Sequence, residues 1–200
     1  MKKLILFAAA TAAITTFASA QIRFGVKAGL NLANVSVSPK QAGESYSMKT
    51  SFNGGAFASV PLFSNFSLQP ELMYSGQGSK ITSDGDNFDY NLGYINVPVL
   101  FKYNDPSGFF AEIGPQIGFL ASAKGKANGI TVDIKDQIKS TDFSGVIGLG
   151  YLSSINLGVN ARYNLGFSNI NKDASTNTTV KNGVIQIGVF YMFGEGQRSK

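Results

Sequence analysis

Two of the side chains that most enzymes depend on are missing from this sequence: it has no His and no Cys. Imidazole acid–base catalysis, thiolate attack and the common zinc ligand sets are excluded for the chain alone, so no catalytic, metal or cofactor site is expected and the protein is not expected to be an enzyme. The stretch SDGDNFD gathers Asp84, Asp86 and Asp89 but lacks the Gly and distal Glu of an EF-hand loop, and it reads as a solvated loop. GKANG, around Gly125, lacks the spacing of a phosphate loop and reads as a turn. What remains is six charges, Arg23, Lys27, Glu71, Lys102, Glu112 and Arg162, each lying between two apolar neighbours. Their chemistry is that of ion pairs, and the alternation around them says which elements must carry them.

That alternation is a period of two, the signature of a strand with opposite faces. In IRFGVKAGLNL, residues 22–32, Ile22, Phe24, Val26, Ala28, Leu30 and Leu32 form one row, and Arg23, Gly25, Lys27, Gly29 and Asn31 the other. The pattern recurs in SFNGGAFASVPL, FSLQPELMYSGQ, YINVPVLFKY, FFAEIGPQIGFLA, FSGVIGLGY, INLGVNARYNLGF and GVIQIGVFYMF, which makes eight strands. The apolar rows hold no Lys, Arg, Asp, Glu, Asn, Gln, Ser or Thr, whereas the opposite rows hold the six charges and many Gly, Asn, Gln and Ser. Eight strands close a barrel whose interior is only just wide enough for side chains to fill. The Gly-rich polar rows fit such an interior and the bulky apolar rows would overpack it, so the apolar face is expected outside, against lipid.

The connections sort in the same sense. Short turns centre on Asn65, Asp105-Pro106 and Ser153-Ser154, and long polar loops span residues 38–50, 79–91, 123–142 and 168–182. Short turns at one end and long loops at the other are the layout of an outer-membrane barrel. Aromatics collect near the turn end, at Phe63, Phe66, Phe101, Tyr103, Phe109, Tyr151, Tyr191 and Phe193, where an interfacial girdle would sit. Pro61 suits a strand end. Pro70, Pro98 and Pro115 fall inside strands, where bulges or missing ladder bonds are expected because proline cannot donate. A soluble lipocalin-like barrel is the competing architecture, but it would set Gly, Asn and Gln against water where more Lys and Glu are usual.

The N-terminus reads as a secretory signal peptide over residues 1–20: Lys2 and Lys3, an apolar run from Leu4, and the small ending Ala18-Ser19-Ala20, with cleavage after Ala20. Residues 21–200 then form the barrel domain. The formal charge of +5 falls to about +3 without Lys2 and Lys3. The remaining Lys and Arg are scattered, so nucleic acid is not an expected partner.

LQPELMYSGQG, YINVPVLFKY, GFFAEIGPQIGFL and the opening FGVKAGLNLANV resemble the outer-membrane β-barrel domain family of Bacteroidetes, the PorT-like group often labelled porin family. The resemblance covers essentially the whole mature chain and implies an eight-stranded antiparallel up-and-down transmembrane barrel. The last strand also resembles the assembly signal read by the barrel insertion machinery, with Gln186, Gly188, Tyr191 and Phe193 at its polar, glycine, aromatic and terminal aromatic positions. The tail GEGQRSK departs from it, since many such proteins end on the Phe.

Two functional classes follow. One is a plugged barrel that stabilises the envelope or presents its loops to an extracellular or envelope protein partner; the other is a small channel or a transport or secretion component. Interior size favours the first. An unpaired charge in a narrow lumen costs several kcal/mol, so the six charges are expected to form a cross-barrel ion-pair network. Inward glycines leave room for it, and Phe57, Leu100, Phe110, Leu120 and Phe190 fill the remainder.

Overall fold

The computed structural model describes residues 22–39, 44–83, 86–127, 129–173 and 177–194. The expected signal peptide, Asp84 of the acidic stretch, Asn128 of GKANG and the tail after Gly194 lie outside the described residues. The chain order is β1 (Arg23–Ser38), β2 (Glu44–Ser47), β3 (Lys49–Phe63), β4 (Phe66–Ser83), β5 (Asp86–Asn104), β6 (Phe109–Ala127), β7 (Ile130–Asp133), a 3-10 turn at Lys135–Gln137, β8 (Thr141–Leu152), β9 (Leu157–Gly166) and β10 (Thr179–Met192).

Eight of these strands pair antiparallel in the ring β1–β3–β4–β5–β6–β8–β9–β10, which β10 closes onto β1. Closure leaves no strand edge within the ring, the condition for spanning lipid with strands. The short β2 adds to the upper part of β4, and β7 to the upper part of β6.

The faces follow the alternation. Along β9 every second residue is buried, with Gly158, Asn160, Arg162, Asn164 and Gly166 inside and Leu157, Val159, Ala161, Tyr163 and Leu165 outside. Phe24, Phe109 and Leu149 are more than 60% exposed, while Asn31 and Ser75 are fully buried. An exposed apolar face of this extent is unstable in water and stable in hydrocarbon.

Three tight turns join β3 to β4, β5 to β6 and β8 to β9. They hold the left-handed residues Ser64 (φ 45°), Gly108 (φ 99°) and Asn156 (φ 65°). In the middle one the Asp105 carboxylate accepts hydrogen bonds from the Ser107 N–H and hydroxyl, which hold its carboxyl below the usual carboxylate range. Both ends of the barrel chain meet at this side: the Phe193 N–H donates to the Phe24 carbonyl at 2.7 Å and the Met192 N–H to the Asn156 carbonyl at 3.0 Å. The aromatic girdle lies there too, with Phe66 stacked on Phe101 at 5.0 Å between centroids and Phe109 edge-on to Tyr151 at 5.1 Å.

Three prolines inside strands, Pro70, Pro98 and Pro115, remove ladder pairs without moving the register. On the β3–β4 ladder Phe57 faces Glu71 and Val60 faces Leu68, in one register, and the two positions between, beside Pro70, are skipped. Pro98 and Pro115 have the same effect on the β4–β5 and β5–β6 ladders. Pro61 sits at a register shift two residues before the end of β3. A separate shift at Gly93/Tyr94 re-aims the upper part of β6.

The long loops differ from expectation. Residues 79–83, 86–91 and 123–127 continue β4, β5 and β6 beyond the apolar rows, giving strands of 18, 19 and 19 residues beside a β9 of 10. Where both faces of a hairpin are wet, no alternation marks it, and polar strand reads as loop.

Candidate functional site: the barrel interior

The interior is built in layers. Nearest the turn end, Phe57, Phe110, Phe190 and Met192 form a buried apolar cluster with Leu152 packed against it. The three rings meet edge-on, Phe190 lying 5.9 Å from Phe57 and 5.8 Å from Phe110. Each lies opposite a glycine on the neighbouring strand: Phe57 on Gly25, Phe110 on Gly150, Phe190 on Gly158. A Cβ on any of these glycines would fall well inside contact distance of the ring. Glycine is required here by close approach, and the ring covers the backbone that glycine leaves bare.

Above the rings the charges meet. Arg162 reaches from β9 across the lumen: its Nη1 donates to Glu71 Oε2 at 2.7 Å and its Nη2 to Glu71 Oε1 at 2.8 Å, a two-pronged pair with β4. Its Nε and Nη2 also hold Glu112 of β6. Lys27 of β1 donates to Glu71 Oε1 at 2.7 Å. All four side chains are buried. Gly148 of β8 lies between Glu112 and Arg162 in the ladder, and a Cβ there would press on both side chains, so the missing side chain is the space the guanidinium uses.

Lys102 and Arg23 depart from the expected network. Lys102 is buried and faces Glu112 across β5 and β6, yet it makes no ion pair among the described residues. Its Nζ sits 3.5 Å from the centroid of the Phe110 ring and 3.3 Å from Gln69 Oε1. Gln69 in turn donates to Glu71 at 2.7 Å, so Lys102 joins the carboxylates through an amide and gains its direct contact from a π-face. Arg23 lies at the turn end, below the rings, and donates to Asn156 Oδ1 at 2.7 Å. The aromatic layer separates it from the carboxylates. Around Lys27, Gln69, Lys102, Glu112 and Arg162 the side chains leave no room for a water molecule.

The next layer is made of amides. Asn31 is its hub, donating to Ser75 Oγ at 2.9 Å and the Gly76 carbonyl at 2.6 Å, and accepting from Asn53 and Gln186. At the loop end lies an apolar cap of Leu92, Tyr94, Leu120, Ala123 and Ile170, with Ile134, Ile138 and Val180 packed against it. The connections that follow β7 and β9 are stitched together there: the Lys139 N–H donates to the Ile170 carbonyl and the Ile170 N–H to the Val180 carbonyl, both at 2.8 Å. The sequence reading missed Ile170, a lone apolar residue in the polar run SNINKD. It also missed Gln69 and Asn31 as connecting groups.

Of the assembly-signal positions, Gln186 points into the lumen and Tyr191 and Phe193 lie outside, their rings 5.4 Å apart. Phe193 stands one residue beyond the end of β10. Gly188 packs against the β1 backbone, where a Cβ would lie 2.8 Å from the Ala28 carbonyl oxygen.

Neisserial surface protein A has a similar structure, at 15% identity over 85% of this chain and 97% of its own, with a TM-score of 0.54. Ail, the attachment invasion locus protein of Yersinia pestis, is 15% identical over 86% of this chain and 98% of its own, with a TM-score of 0.49. OprG of Pseudomonas aeruginosa is 13% identical over 86% and 95%, with a TM-score of 0.48. At such identities a likeness speaks to the fold alone. No curated protein sequence matches the chain. Residues 16–172 match the outer membrane protein beta-barrel domain family, a match that covers most of the chain and agrees with the closed ring of eight antiparallel strands, and the chain belongs to that family.

Proposed function

We propose that this outer-membrane barrel acts as a plugged, non-catalytic envelope protein, which stabilises the membrane or presents its long loops to an extracellular or envelope partner. The observation that carries this reading is Arg162, which joins Glu71 on β4 to Glu112 on β6 across the lumen while Lys27 holds Glu71 from β1. Opening an ion path would separate these charges in a space that water does not reach, at a cost of several kcal/mol. The apolar cap at the mouth acts in the same direction. The absence of His and Cys supports a non-catalytic role. The motifs LQPELMYSGQG and GFFAEIGPQIGFL favour the PorT-like group of Bacteroidetes, with the signal peptide removed after Ala20. The three tight turns and both barrel ends on one side favour a periplasmic position for that side and an extracellular one for the loops.

Single-channel recording of the purified protein in planar bilayers tests the plug. Little steady conductance is expected. Large, steady, ion-selective currents would replace the plug with a channel.

A further inference from the structure

Between the ion-pair layer and the apolar cap, one charge lacks a counter-charge among the described residues. Asp142, the second residue of β8, is buried, and no Lys or Arg forms an ion pair with it among the described residues. Its partners are neutral: Asn182 Nδ2 donates to Oδ2 at 2.8 Å and Ser168 Oγ to Oδ1 at 2.7 Å. Nearby are three oxygens shut off from solvent and outside hydrogen-bond geometry, the Tyr94 hydroxyl, Asn96 Oδ1 and Asn182 Oδ1, with the Tyr94 hydroxyl lying beside the Asn182 amide. The Asn182 amide is oriented by the carboxylate, which takes its NH2 group and leaves its oxygen free.

The ladder brings these groups together. Asn96 faces Gly118 and Gly118 faces Asp142. A Cβ on Gly118 would lie 2.6 Å from Asn96 Oδ1, 3.3 Å from the Tyr94 ring and 3.6 Å from the Asp142 carbonyl oxygen. Two β5 side chains and the β8 backbone therefore crowd the position where β6 carries no side chain, and β10 joins through the Asn182 bond to Asp142.

A buried carboxylate without a counter-charge is costly, and so is each buried oxygen without a donor. A water molecule would satisfy the oxygens and leave the charge. A hard cation bound by oxygens alone would satisfy both. One carboxylate cancels one positive charge, so a divalent ion would leave net charge buried in the lumen. We infer that Asp142, Tyr94, Asn96 and Asn182 form an occluded site for a monovalent alkali cation, sealed from the outside by Leu92, Leu120 and Ile170.

The test is thermal unfolding of the mature barrel, refolded in detergent, in sodium, potassium or N-methylglucamine chloride at equal ionic strength. Sodium or potassium raises the midpoint saturably above that in N-methylglucamine; at tenfold excess over its Kd, a bound ion multiplies the folding constant about elevenfold. In Asp142→Asn the ion dependence disappears, and in N-methylglucamine this variant is at least as stable as the native chain, because the charge removed is the uncompensated one. Tyr94→Phe keeps the ring in the cap and weakens the ion dependence, which serves as the readout if Asp142→Asn does not fold. Equal midpoints in the three salts would overturn the site. So would an unchanged ion dependence in Asp142→Asn, or saturable stabilisation by calcium at lower concentration than sodium.

Discussion

Arg162 and Lys102 are both buried cations, and the lumen treats them differently. Arg162 is held by two carboxylates through all three of its nitrogens, so Arg162→Ala leaves Glu71 with Lys27 as its one ion-pair partner and Glu112 with none among the described residues. We expect a loss of about 3–5 kcal/mol in urea unfolding of the detergent-refolded barrel, the range for breaking a buried pair from one side. Lys102 has a ring and an amide in place of a carboxylate. Lys102→Met keeps most of its volume and removes the charge, so its unfolding midpoint should stay level or rise. A loss as large as that of Arg162→Ala would mean that Lys102 supplies charge the carboxylates need. The residue types of this site were legible because six charges among apolar neighbours have few uses. Their partners were not, since pairing depends on the stagger of the strands, which puts Arg23 below the rings and the other five above.

At the scale of elements, glycine and phenylalanine form cross-strand units. Phe190 of β10 covers Gly158 of β9, and a Cβ on Gly158 has no space while the ring is there. Gly158→Val should therefore cost about 1–3 kcal/mol through overpacking, and Phe190→Ala about 3–5 kcal/mol through the cavity it leaves. The double variant should cost less than the sum of the two, because the clash goes with the ring. Additive losses would show that the two residues do not share that space. The faces of the apolar rows were legible from period two alone, but not that of the upper part of β6, whose parity changes at the shift beside Gly93 and Tyr94. Strand length was not legible either: β4, β5 and β6 run past their apolar rows into polar hairpins, and β2 and β7 are only four residues each, too short for a period to mark them. The prolines were legible as interruptions, but only the ladders show that the register carries through Pro70, Pro98 and Pro115.

For the whole molecule, the outward apolar surface and the closed ring set the behaviour. The mature chain should fractionate with the outer membrane, resist extraction by salt, and migrate differently on gels in unboiled and boiled samples, because a closed barrel survives detergent. Recovery of the folded protein in the soluble periplasm would instead favour the lipocalin-like architecture. An epitope tag at Gly129, between β6 and β7, should be accessible on intact cells, and one at Asp105, in a tight turn, should not. The reverse result would invert the orientation.

The sequence by itself determined the architecture and its inside and outside. A two-residue period, repeated eight times with no polar residue in one row, leaves a strand few ways to satisfy its backbone in lipid other than a closed barrel. It also put six charges on the inward rows, because the parity of each strand is local information, but it left Asp142 in a long loop. The tertiary structure alone decided what those charges meet. Arg162 and Glu71 are 91 positions apart, and their contact depends on the stagger with which the ring closes. The cap over the mouth and the lone carboxylate of Asp142 beneath it were decided in the same way, since each depends on segments that come together only when β9 and β10 are in place.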